Sequence, residues 1–267
     1  MSSEAGNDTA GSAIAMLALP GLVVPQPAEL ASFLQAEAVG QVDFNVEADA
    51  PDTLVLKLGE GYGFITHVDA PIPRDELQLP IDSAWWWAEA GATIDTHTAH
   101  QVVGVFGQPG DALATRLLLT RLLRAAAQVS GAAAVFWSEG GVLRATEDFL
   151  LLSSDVSPQA IQSQLWVNAL IEPDPESPVD RPPEEPALMA LTRGLAPFNA
   201  ADIQTRLAPV SPNQLFDTLH NLATYLIVRR EKIADGDTIG HDEGERITVR
   251  HQPNLRDPEQ IAYQLVW

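Results

Sequence analysis

His97 and His100, three residues apart with Asp95 just ahead of them, are the only close imidazole pair in the 267-residue chain. Imidazole and carboxylate groups ligate zinc, and on a helix a spacing of three puts both rings on one side. The chemistry that would follow is metal-assisted hydrolysis. The pair leads into a β-prone run, 99–106, and in a strand residues three apart face opposite sides. Hydrogen bonding to the surrounding chain is therefore the better expectation for these histidines. His97, His100 and Asp95 stand as the weaker, metal-ligating alternative.

Trp85, Trp86 and Trp87 carry a different chemistry. Successive side chains on a helix fan out by about 100°, so three consecutive indoles cannot all enter one core. At least one belongs at a surface, an interface or a pocket, where indole combines large apolar area with a hydrogen-bond donor. Asp75, Glu76, Asp82 and Glu89 flank the triplet. Together these seven residues form the candidate protein-binding surface. The competing reading has two tryptophans anchoring the segment while the third covers a sheet edge.

Other motifs point to turns. Ser138-Glu139 before Gly140-Gly141 lacks the glycine-flanked serine of a hydrolase elbow. Gly59, Gly61 and Gly63 join two β-prone runs and open no helix, so they lack the helix amino-terminus that binds phosphate. The acidic and imidazole residues of 236–245 lack the ligand spacing of an EF-hand. No serine, histidine and acid fall at a recognisable spacing, and the absence of cysteine excludes thiol chemistry and disulfides. No catalytic residue and no cofactor are expected.

The elements that must position these residues follow from periodicity. Residues 1–12 read as a disordered tail, and the apolar run 13–24 as a strand that can break at Pro20-Gly21. It has no basic residue ahead of it, as a secretory signal requires, and no run is long enough to span a membrane. A helix is predicted over 27–38, with Leu30, Phe33 and Leu34 on one face. Strands are predicted over 42–46, 53–58, 62–68, 99–106 and 132–137. Residues 75–87 read as partly helical, interrupted or restarted at Pro80. The clearest helix is 111–128, capped by Asp111 and carrying Leu113, Leu117, Leu118, Leu122 and Ala125 at helical spacing. A short helix follows at 145–152. Residues 171–187 hold six prolines and six acidic residues, a linker or long loop between a domain at 13–170 and a segment at 188–267. In that last part, 187–195, 246–251 and 261–267 read as strands, with 164–170 able to pair with the closing ones. A helix at 212–230 carries Leu215, Leu219, Leu222 and Leu226. Short turns between strands favour an α+β class, mainly antiparallel sheets with helices packed on one face, and allow two ferredoxin-like halves.

Charge narrows the partners. Fifteen basic residues against thirty-six acidic ones give a net charge of −21, which repels phosphate backbones and anionic lipid alike. Neither nucleic acid nor a membrane is an expected partner. Up to residue 115 only Lys57 and Arg74 oppose sixteen carboxylates, enough to steer a basic protein. A negative surface also keeps a protein soluble, which is the plainer reading of the same numbers.

The segments Ser83-Ala84-Trp85-Trp86-Trp87, His97 to Val103, Leu117 to Leu123, Ala134 to Trp137, Asp235 to Gly240 and Ile247-Thr248-Val249 resemble a bacterial family known as domain of unknown function 4261. The resemblance implies a cytoplasmic α+β protein with no catalytic residues to carry over, and an immunity or accessory role beside secreted toxins. The expected function is that of a non-enzymatic protein that binds a protein partner, a basic toxin in the sharpest form. The alternatives are a metal-assisted hydrolase and a structural subunit of a larger assembly.

Overall fold

A computed structural model describes residues 11–37, 44–50, 52–106, 111–178, 187–240 and 246–267. The chain divides into two compact units, Met1–Leu165 and Trp166–Trp267. In chain order the first holds β1 (Ser12–Leu19), α1 (Pro27–Glu37), β2 (Phe44–Ala50), β3 (Thr53–Leu58), β4 (Gly61–Val68), α2 (Arg74–Ser83), α3 (Ala90–Ile94), β5 (Ala99–Phe106), α4 (Ala112–Ser130), β6 (Ala134–Trp137), β7 (Val142–Ala145) and α5 (Thr146–Leu152). Its sheet runs β2-β3-β4-β5-β1-β6-β7, with every neighbouring pair antiparallel. The inner order β4-β5-β1-β6, with α1 following β1 and α4 following β5, is that of a ferredoxin-like βαββαβ unit. A β2–β3 hairpin and β7 extend it at the two edges, and α2 and α3 are inserted between β4 and β5.

Both faces of this sheet are covered by helices, where the sequence pattern suggested one. Ala13 lies opposite Val105, and Val105 opposite Gly63, so these three share a face. A Cβ on Gly63 would meet Leu122 of α4 at 3.0 Å, which places α4 on that side. On the opposite face Ala18, Ala134, Phe136 and Leu143 pack with Leu77 of α2 and with Ala90 and Ile94 of α3. The cause is visible in β1, whose Leu17-Ala18-Leu19 is fully buried without alternation, as a strand covered on both sides requires. Asp111 caps α4 as expected, accepting from the Leu113 and Ala114 N–H groups. Pro80 does not interrupt α2. A proline removes the bond to the carbonyl four residues back and crowds that carbonyl, but the helix ends three residues later, so little of it lies beyond the disturbance.

The second unit holds β8 (Asn168–Pro173), β9 (Leu188–Arg193), β10 (Ile203–Ala208), α6 (Pro212–Arg229), β11 (Thr238–Ile239), β12 (Ile247–Pro253) and β13 (Ile261–Val266). The sheet order is β11-β12-β13-β10-β9-β8. β10 and β13 are parallel and the other pairs antiparallel. Leu215, Leu219, Leu222 and Leu226 are the buried stripe of α6, as their spacing predicts. The class is α+β throughout, but this unit departs from the ferredoxin-like order, in which all neighbours are antiparallel. β8 pairs with β9 at the sheet edge, so the expected pairing of 164–170 with the closing strands is corrected. Alternation identifies a face, not a neighbour.

The proline-rich stretch lies inside the second unit, between β8 and β9, and its residues 179–186 fall outside the described ones, as do 1–10 of the expected tail. Asp174 and Arg206 explain the order on its near side. The fully buried Asp174 carboxylate accepts from Arg206 Nε and Nη2, both at 2.8 Å, and from the Leu207 N–H at 2.9 Å. Leu207 adopts φ +54° where the β9–β10 register shifts, so the carboxylate holds a bulge in place. No helix among the described residues is long and apolar enough to cross a membrane.

Candidate functional site

α2, the tryptophan triplet and α3 form a cap on one face of the first sheet. Leu77, Ala84, Ala90 and Ile94 are buried against it, with Trp86 and Trp87 partly buried in the same cluster. Trp85 remains 47% exposed and meets Trp86 edge-on, ring centroids 5.8 Å apart. Two indoles therefore seat the segment and the third faces outward. Trp86 is further fixed by the Arg144 guanidinium from β7, 4.8 Å from its ring centroid.

Asp75, Glu76, Asp82 and Glu89 are all exposed on this cap, as is Asp95. Asp82 accepts from Gln78 Nε2 at 2.8 Å, and Asp95 pairs at 3.4 Å with Arg74, the only basic residue between positions 74 and 95. The other amino-terminal carboxylates are not all gathered here. Asp52 and Glu60 occupy turns of the β2–β3–β4 meander, and Asp111 is spent on its helix cap. The cap is thus one acidic surface among several, distinguished by the exposed indole at its centre of sequence.

His97 and His100 tie loops together. The Ile72 N–H donates to His97 Nε2 at 2.7 Å, which leaves the proton on Nδ1, and Nδ1–H donates to the Ile94 carbonyl. Both ring nitrogens are therefore occupied by main chain. His100 Nδ1 donates to the Ala70 carbonyl at 2.6 Å. Asp95 is exposed and turned to Arg74, so the three residues are not brought together as ligands. Among the described residues there is no group of three or more histidine and carboxylate side chains able to hold a metal.

Two charged sites centre on arginines outside the sequence motifs. Arg116, fully buried in α4, donates from Nη2 and Nε to Glu139 at 2.7 and 3.2 Å. Burial pushes the Glu139 carboxyl up and the Arg116 guanidinium down, each opposed by the other's charge. Glu139 belongs to the Ser138–Gly141 turn, so that turn receives a buried cation. Arg144 is the second. The signal for both was an arginine inside an apolar stretch, where a charge is buried only when something compensates it.

A family model described as domain of unknown function 4261 matches residues 191–265, so the resemblance is shown over most of the second unit. Of the segments that suggested it, those around Asp235 to Gly240 and Ile247 to Val249 lie within the match, and the tryptophan and histidine segments lie before it. No curated protein and no solved structure matches the chain.

Proposed function

We propose that the protein is a non-enzymatic binding protein that docks a cationic protein on the α2–α3 cap, acting in the cytoplasm as an immunity protein against a basic toxin. The observation that carries this reading is Trp85, 47% exposed on a segment whose other two indoles pack, partly buried, against the core cluster. An indole held in place by its neighbours loses little conformational freedom on binding, and such residues dominate interfaces. Five exposed carboxylates against Arg74 supply long-range attraction for lysine and arginine side chains of the partner.

The test uses the product of the adjacent gene and surface plasmon resonance on the full chain. Trp85→Ala is expected to weaken binding by roughly 30-fold, about 2 kcal/mol. Asp82→Asn with Glu89→Gln should lower the association rate and flatten its salt dependence. Binding that ignores both added salt and the loss of Trp85, or no protection of cells against that product, would overturn the proposal.

A further inference from the structure

Arg144 is a buried cation that makes no ion pair with a carboxylate among the described residues. Only 5% of the residue reaches solvent. Its Nε and Nη2 donate to the Gln164 main-chain carbonyl at 3.3 and 3.2 Å, and Nη2 also reaches the Gln164 Oε1 at 3.4 Å. Its guanidinium carbon lies over the Trp86 ring, 4.8 Å from the centroid. Nη1 donates to no acceptor among the described residues. The same unit shows what full compensation looks like: Arg116, equally hidden, has both oxygens of Glu139. The acidic group acting on Arg144 is Asp148 of α5, which is exposed and makes no ion pair with it.

We propose that Arg144, clamped between Gln164 and the Trp86 ring, anchors a carboxylate-binding site in which Nη1 donates to one oxygen of a ligand carboxylate. The physical reason is the cost of burying a guanidinium with no carboxylate against it, which an incoming carboxylate would offset. Consistent with that cost, burial lowers the Arg144 pKa to about 10 despite the opposing charge of Asp148. Gln164 and Trp86 fix the plane of the guanidinium in advance, so little ordering is left for the ligand to induce. The geometry favours a carboxylate over a phosphate. With Nε and Nη2 already engaged, a single amine remains, too few donors for a phosphate dianion, and the exposed Glu147 and Asp148 nearby in sequence repel a doubly charged group. This site is independent of the proposed protein partner, and its test needs no partner.

The experiment follows the Arg144 Nε–H and Trp86 indole N–H resonances of the full-length protein. Sodium acetate, sodium phosphate and sodium chloride are titrated in turn at constant ionic strength and pH 7. A saturable acetate shift at both groups, with an affinity at least tenfold above that of chloride, is the expected result. Trialanine with a free carboxyl terminus, compared with its amide, then separates a chain terminus from a small free acid. Tighter binding of the free-acid peptide than of acetate assigns the site to a polypeptide end, and equal binding assigns it to a small carboxylate. Arg144→Lys retains charge but not the planar fork, and should abolish the saturable response. Acetate indistinguishable from chloride, or phosphate binding more tightly than acetate, would overturn the proposal. The wild-type titration decides this even if the variant does not fold.

Discussion

Asp174 and Asp202 place two carboxylates of the second unit in opposite electrostatic situations. Arg206, with the Glu176 and Leu207 N–H groups, holds the Asp174 carboxyl down at about 2. An acid whose folded pKa is depressed stabilises the fold above its unfolded value near 3.9, and the contribution disappears as pH falls through 2. Asp174→Asn should therefore cost about 2 kcal/mol at pH 7, and in urea unfolding its stability should fall less between pH 4 and 2 than the parent's does. Burial instead pushes Asp202 up to about 6, although the Leu195 N–H and Thr192 hydroxyl donate to it. Here the native state holds the proton more tightly, so stability declines as pH rises from about 4 to 6 and is level above. Asp202→Asn should remove that decline, and an unchanged slope would refute the assignment. At Leu207, φ +54° strains a branched residue that is 42% exposed. Leu207→Gly should be neutral or stabilising by up to about 1 kcal/mol in thermal unfolding, since it relieves strain at little loss of burial.

At the scale of elements, what could be read in advance was whatever the local chain decides. Asp111 and the leucine spacing marked α4, and the leucines of α6 marked its buried face. Ser211 completes that helix with a capping box, accepting from the Gln214 N–H while Gln214 Oε1 accepts from the Ser211 N–H. Ser211→Ala should cost about 1 kcal/mol, measured by denaturant midpoint. What could not be read were elements defined by their neighbours. β10 buries Gln204 and Thr205 beside Ile203 and then bulges at Leu207, so its sequence never alternates and periodicity does not mark it. β7 is four residues long and joins the sheet only through β6. Gly63, last of the Gly59, Gly61 and Gly63 run and first glycine of the strand predicted over 62–68, lies within β4, where a Cβ would sit 2.6 Å from Leu58 Cδ1 and 3.0 Å from Leu122 Cδ2. It is the close-approach point between strand and α4. Gly63→Ala should destabilise by about 1–3 kcal/mol through overpacking, and a neutral effect would mean the two leucines repack freely. The candidate site divides the same way. The triplet was visible from composition alone, whereas Arg144 meets Trp86, 58 positions before it, and Gln164, 20 positions after it, which no local pattern encodes.

For the whole molecule, the matched family segment and the compact unit do not coincide, and the difference has consequences for stability. The match opens at Leu191, within β9, while the unit opens at Trp166. A chain cut to residues 191–265 would lack β8 and the first residues of β9, exposing an unpaired strand edge. It would also lack Asp174, leaving Arg206 without its buried acceptor and the Leu207 bulge without its restraint. Residues 166–267 retain all of these, together with the β9 and β10 residues that α6 covers and the ring pair of Trp166 and Phe198, 6.0 Å apart. Loss of an edge strand and a buried ion pair removes several kcal/mol, comparable to the whole stability of a domain this small. The longer fragment is thus expected to unfold in one cooperative thermal transition and the shorter one to show none. A cooperative transition from 191–265 would mean that the matched segment folds without β8 and that Asp174 is dispensable. A featureless melt from 166–267 would mean that the second unit draws its stability from residues before Trp166.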